Sequence, residues 1–189
     1  MAFTETDVKQ LLQETFQQAK SYPDSGKTIQ RINMHRSQNW VKALTEQFKK
    51  KYDGDSEIRI FSKSDDSNRK DFGLSELLHD VLVCKVDGVK SSVHKKKLYF
   101  IKEVLWQIES EFAHNTRSSL IDFNKLVLGS AKNKLFVASQ AKKGTEKSFL
   151  EVLKPAARYC TGDVYLGMIP HPGDWADTKD DIHLWVFKK

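Results

Sequence analysis

The chain has 189 residues, 39% of them hydrophobic and 30% charged, enough apolar content for one packed core and too much for wholesale disorder. Its formal net charge of +6 favours polyanionic partners, although charge speaks to association and not to fold. No run is long or apolar enough to span a membrane, and Met1-Ala2-Phe3-Thr4-Glu5-Thr6-Asp7 lacks a signal peptide's basic and apolar regions, so the sequence predicts a soluble, cytoplasmic protein.

Apolar positions Val8, Leu11, Leu12, Phe16 and Ala19 have helical spacing and predict a first helix from about Glu5 to Tyr22, capped by Thr4 or Thr6 and ended by Pro23-Asp24-Ser25-Gly26. A second helix is expected from Ser37 to Tyr52, with Trp40, Val41, Leu44 and Phe48 inward. Asp53-Gly54-Asp55 then turns the chain into a short strand, Glu57–Phe61. Ser62 to Asp71 reads as a loop, and Phe72 to His79 as either one helical turn or an approach to the strand Asp80–Val86. Lys85 to Lys97 is basic and polar, with Asp87-Gly88 as its turn signal, and leads through Leu98, Tyr99 and Ile101 into a strand at Leu105–Phe112. A helix with Leu120, Phe123, Leu126 and Val127 inward follows, then a buried strand Lys134–Ser139 and an amphipathic helix Thr145–Tyr159. Strands at Asp163–Ile169 and His183–Phe187 close the chain. Helices interspersed among strands predict an α/β fold, a mixed central sheet flanked by helices in a single domain over 1–189, with a helical part at 1–56 and the α/β core at 57–189. Cys84 and Cys160 lack metal-like spacing and are expected as buried free thiols.

The chemistry concentrates in Leu105-Trp106-Gln107-Ile108-Glu109-Ser110-Glu111-Phe112. Successive strand residues point to opposite faces, so Glu109 and Glu111 share one face of an apolar strand. Two carboxylates held there repel each other and are costly to desolvate, and a hard divalent cation such as Mg²⁺ removes that cost. Asp80, opening the upstream apolar run, is placed to complete the site. An acidic metal site in a basic protein points to phosphodiester chemistry.

An Asp opening one strand, followed by Glu109-x-Glu111 on the next, resembles the restriction-endonuclease-like, or PD-(D/E)XK, nuclease superfamily, whose core runs αβββαβ. The resemblance covers about Phe72 to Ser139. It implies Asp80 and Glu109 as ligands of Mg²⁺ or Mn²⁺ and Glu76 as the acidic residue upstream of the Asp. The family's usual lysine is Glu111 here, a Glu-x-Glu variant also found in BamHI-type restriction enzymes. The departure leaves Glu111 as metal ligand or general base, or Lys125 on the following helix in the lysine role. DNA is the implied substrate and a homodimer a plausible assembly by analogy. Lys95, Lys96, Lys97, Arg117, Lys132 and Lys134, with Lys142 and Lys143, are the candidate nucleic-acid contacts.

Blander readings stand beside these. His79 and His114 flank the site and read as structural or surface residues, and His171, His183, Asp180 and Asp181 as loop and strand-edge residues and not a second metal cluster. Trp106, Trp175 and Trp185 read as core or interface. The alternatives to a nuclease are a catalytically inactive nucleic-acid- or protein-binding member of the same fold, and a regulatory protein whose acidic strand is only a surface feature.

Overall fold

The computed structural model describes residues 3–113, 115–140, 146–176 and 181–189. It is α/β: one six-stranded mixed sheet with helices on both faces. Two helices come first, α1 (Glu5–Ser21) and α2 (Ile29–Lys51). In α1 a reciprocal cap forms, with the Thr4 hydroxyl accepting from the Asp7 N–H and the Asp7 carboxylate accepting from the Thr4 N–H, which satisfies two end donors at once. The second helix begins eight residues before its expected start. Thr28 caps it, but Ile29 and Met34 are exposed, so its first two turns carry no apolar stripe by which to be read.

Strands β1 (Ile58–Ser62), β2 (Val81–Ser91) and β3 (Lys96–Glu111) form an antiparallel meander. Helix α3 (Arg69–Phe72) interrupts the expected Ser62–Asp71 loop, and Gly73, in the left-handed region, ends it. Residues 74–80 then approach β2 without regular structure. Helix α4 (Thr116–Val127) leads to β4 (Asn133–Gln140), parallel to β3, and α5 (Glu146–Ala157) to β5 (Asp163–Pro170), parallel to β4. Strand β6 (His183–Phe187) returns antiparallel, giving the spatial order β1-β2-β3-β4-β5-β6.

Asp87-Gly88 does not turn the chain. Both residues lie in extended β2, opposite Phe100 and Tyr99, and the turn comes at residues 92–95. Gly88 is there for close approach instead: the Lys97 stem crosses it, and an added Cβ would meet Lys97 Cε at 2.1 Å.

The two helical layers divide the core. On one face α1 and α2 bury Leu12, Phe16, Trp40 and Phe48 against Val83, Trp106, Ile108 and Tyr165. On the other, α4 and α5 bury Phe123, Leu126, Phe149 and Leu153 against Phe136 and Leu166. Cys84 and Cys160 are buried free thiols, as expected. No helix among the described residues is long and apolar enough to cross a membrane.

Candidate active site

Strand alternation sends Trp106 and Ile108 into the α1/α2 core, which leaves Gln107, Glu109 and Glu111 on the face covered by α4. Val81 pairs with Ile108, so Asp80, one residue earlier, lies level with Glu109 across the ladder. The Ser110 N–H donates to Asp80 Oδ2 at 2.8 Å and fixes that carboxyl at the mouth of the β2–β3 pair. This is also where β3 changes partners, antiparallel to β2 and parallel to β4.

Glu109 is 1% exposed, and both its oxygens are occupied. Oε2 accepts from Lys125 Nζ at 3.1 Å, and Oε1 lies 3.0 Å from His79 Nδ1. The neighbouring bonds assign the imidazole proton. The Ala131 N–H donates to Gln107 Oε1 at 3.2 Å, so the other end of that amide is the NH₂, which donates to His79 Nε2 at 2.8 Å. Nε2 is therefore an acceptor, and Nδ1 carries the proton given to Glu109. Gly129 makes room for this chain, since a Cβ there would fall 1.8 Å from Gln107 Nε2.

Helix α4 brings two further groups. Lys125 reaches Asp122 Oδ1, three residues earlier on the same face, at 2.9 Å as well as Glu109. Glu109 and Asp122 thus share a single ammonium, and Asp80 and Glu111 feel its charge without touching it. Burial and neighbouring negative charge together raise two of these carboxyls, Asp80 and Glu111. Burial, followed by the charge of Glu109, pushes the Asp80 carboxyl up to about 7. Burial also raises Glu111, reinforced by the Asp122 carboxyl and opposed by the Ala113 N–H at 2.6 Å from Oε1. Burial pulls Lys125 down, but Asp122 and Glu109 outweigh it and the ammonium is held above its ordinary value. Glu76 is exposed on the approach to β2 and lines, with Asp80, Ser110, Phe112, Lys63 and Gln38, a cleft of about 500 Å³.

No protein-family model, curated protein or solved structure matches this chain.

The structure thus brings Asp80, Glu109, Glu111 and Lys125 together and sets Glu76 at the rim of the adjoining cleft. Asp122, His79 and Gln107 were missed as site residues. Two left a readable signal: Gln107 continues the polar face of Glu109 and Glu111, and Asp122 stands three residues before Lys125 on the helix that follows. For His79 the only signal was adjacency to Asp80.

The basic candidates separate. Lys95, Lys96 and Lys97 are exposed, but at the far end of the β2–β3 pair from the acidic cluster. Arg117 is exposed in the first turn of α4, and Lys132 is exposed in an ion pair with Glu103. Lys134 is a correction. It is fully buried, its ammonium donating to the carbonyls of Ala131 and Thr161 and to Thr161 Oγ1 at 3.1, 2.7 and 2.9 Å, with burial lowering its pKa. A strand-start lysine adjoining a loop looks like surface in sequence, yet here it ties together backbone carbonyls that would otherwise be buried without donors. His114, Lys142, Lys143 and Asp180 lie outside the described residues. His171 caps the 3-10 turn Pro172–Asp174, and Trp106 and Trp175 are core.

Hard oxygen donors, a negative excess and a buried carboxyl raised in pKa suit a divalent cation such as Mg²⁺ or Mn²⁺. Among the described residues no three such groups converge on one point, and Lys125 holds Glu109 Oε2. Asp122 would keep a partner on Lys125 were that oxygen to bind a cation.

Proposed function

We propose that this chain is a metal-dependent endodeoxyribonuclease, hydrolysing phosphodiester bonds in DNA with Mg²⁺ or Mn²⁺ at Asp80 and Glu109. The observation that carries the reading is the grouping of Asp80, Glu109, Glu111 and Asp122 at the carboxyl end of β3, two of them on Lys125, with Asp80 pushed up to about 7 by burial and by Glu109. The resemblance to the restriction-endonuclease-like fold is supported by the order α2, β1, β2, β3, α4, β4, which follows that core apart from the single turn of α3.

The bound cation would activate a water and neutralise charge developing on the phosphate. The residues of the chain supply the rest. Glu111, half-buried and raised in pKa, accepts the proton of the attacking water. Lys125, fully charged, faces the developing negative charge from α4. His79 donates to Glu109 and, through Gln107 and Ala131, holds that carboxylate's orientation. Glu76 and Lys63 line the cleft by which a strand reaches Asp80.

A catalytically inactive nucleic-acid- or protein-binding member of the same fold is the second reading, favoured by the Lys125 ammonium on Glu109 Oε2. Incubation of long, sequence-diverse duplex DNA with the chain and Mg²⁺ or Mn²⁺ separates the two. The nuclease reading expects cleavage that EDTA and Asp80→Asn each abolish. Intact DNA with both metals, together with binding that EDTA leaves unchanged, would establish the inactive reading.

A further inference from the structure

Past Lys85 the sheet narrows to two strands. Strand β1 pairs β2 no further than Lys85, and β4 meets β3 only from Trp106 onward, whereas β2 and β3 continue together to the Ser91–Lys96 pair. The resulting ribbon, residues 86–102, is held at its root, where Val86 and Tyr99 pack with Phe61 and Phe72. Beyond that root Val89 and Val93 are exposed, as is Phe100 within it. Two register shifts leave Leu105 and Lys102 as extra residues on β3, and such bulges bend and twist a strand pair.

A free two-stranded ribbon is marginally stable, and the side chains of this one make it less so. Lys90, Lys95, Lys96, Lys97 and Lys102 stand against one acid, Asp87. Lys90 is directly opposite Lys97 in the ladder, and like charges so placed repel. Lys95 holds a φ of 52° at the turn, a conformation in which glycine or asparagine is cheaper. Among the described residues none of the five lysines is ion-paired with a carboxylate. Lys97 lies over the Tyr99 ring at 5.1 Å instead. Among the described residues no carboxylate offsets these costs; an anionic partner would.

We propose that this ribbon is a nucleic-acid-binding arm whose lysines hold duplex phosphates remote from the acidic site, an inference that rests on DNA being the substrate of that site. Lys97 and Glu109 stand twelve positions apart on β3, roughly 40 Å at the full rise of an extended strand and less across its two bulges. The arm therefore contacts DNA about one helical turn from the bond to be cut. A two-stranded ribbon fits a major groove about 12 Å wide, and phosphate contacts of this kind position a protein without reading sequence. A second copy of this chain, itself at +6, is the poorer occupant on charge.

The test is binding of a duplex of about 30 base pairs, with Ca²⁺ replacing Mg²⁺, followed by fluorescence anisotropy over a range of salt. The full chain is compared with the quadruple variant Lys90→Gln, Lys95→Gln, Lys96→Gln, Lys97→Gln and with the matching quadruple Lys→Arg variant. Each phosphate contact contributes about 0.9 to the slope of log affinity against log salt, so the glutamine variant should lose roughly 2–4 from that slope, and about tenfold or more in affinity. The arginine variant should retain both. The glutamine variant should melt no lower than the native chain, because the opposed lysines are gone. A native chain that binds, with an unchanged slope in the glutamine variant, overturns the arm while leaving the nuclease reading intact. An unchanged slope with a dimer lost in sedimentation assigns the ribbon to self-association and overturns it equally. Failure of the native chain to bind DNA overturns the DNA reading of the acidic site itself.

Discussion

The two ends of the β2–β3 ladder carry opposite chemistry on the same pair of strands. At one end Asp80, Glu109 and Glu111 lie between helical layers, raised in pKa or locked by His79 and Lys125. At the other, lysines stand in solvent on a ribbon that meets a helix at its root, through Phe72 of α3. The helices make the difference: α4 follows β3 directly and folds back over its carboxyl end, so polar groups there are desolvated and must find fixed partners. Lysines on the arm stay hydrated and give charge without fixed geometry. On the proposed reading the acidic end serves chemistry and the basic end attraction.

Removing a carboxylate from the acidic end should break this contrast most sharply. Asp80→Asn should abolish metal-dependent cleavage and, assayed in EDTA, raise the melting temperature, because it removes a buried carboxyl opposed by Glu109. A variant that melts lower in EDTA would mean that the carboxyl is stabilising there as it stands. Glu111→Gln keeps the shape but cannot take a proton, and cleavage should fall by roughly 10²–10⁴-fold in single-turnover assays with DNA binding retained.

The His79 support comes next. Gly129→Ala drives a Cβ into Gln107 and should weaken the hold on His79 and hence on Glu109, lowering metal affinity by about 10–100-fold in calorimetry. An unchanged affinity would show that the Gln107–His79 chain is packing only. Lys134→Met separates buried from exposed lysine: it leaves two carbonyls and a hydroxyl short of a donor, costing about 1–3 kcal/mol in denaturant unfolding, with the salt slope of DNA binding unchanged.

A further effect is in pH. The folded Asp80 carboxyl titrates near 7 against an ordinary value of 3.8, so between those values the folded chain holds more protons than the unfolded one. Its contribution to the stability of the metal-free chain is fully present below about 3.8 and is lost as pH rises through about 7. Asp80→Asn should flatten that part of the pH profile in EDTA.

Much of this was legible in the sequence because it depends on local periodicity. Leu11, Leu12 and Phe16 mark α1, Phe123 and Leu126 mark α4, and the alternation of Gln107, Glu109 and Glu111 with Trp106, Ile108 and Ser110 assigns the faces of β3. The early start of α2 was hidden by the exposure of Ile29 and Met34, which face no core. The hairpin was misplaced because Asp87-Gly88 has turn composition, whereas Gly88 serves an extended strand crossed by Lys97. At the site, strand spacing was enough to pair Glu109 with Glu111. The partners that lock Glu109 come from residues 79, 107 and 125, brought together only by sheet register and helix placement. Lys134 failed for the complementary reason, since no local pattern shows that the carbonyls of Ala131 and Thr161 converge on it.

The most direct test of a cation site at the acidic end is calorimetric titration of Mn²⁺ into the chain in the absence of DNA, with Asp80→Asn alongside. The account predicts saturable binding by the native chain that Mg²⁺ competes away and that Asp80→Asn loses while remaining folded. Absence of binding by the native chain, or binding that Asp80→Asn leaves unchanged, would contradict it.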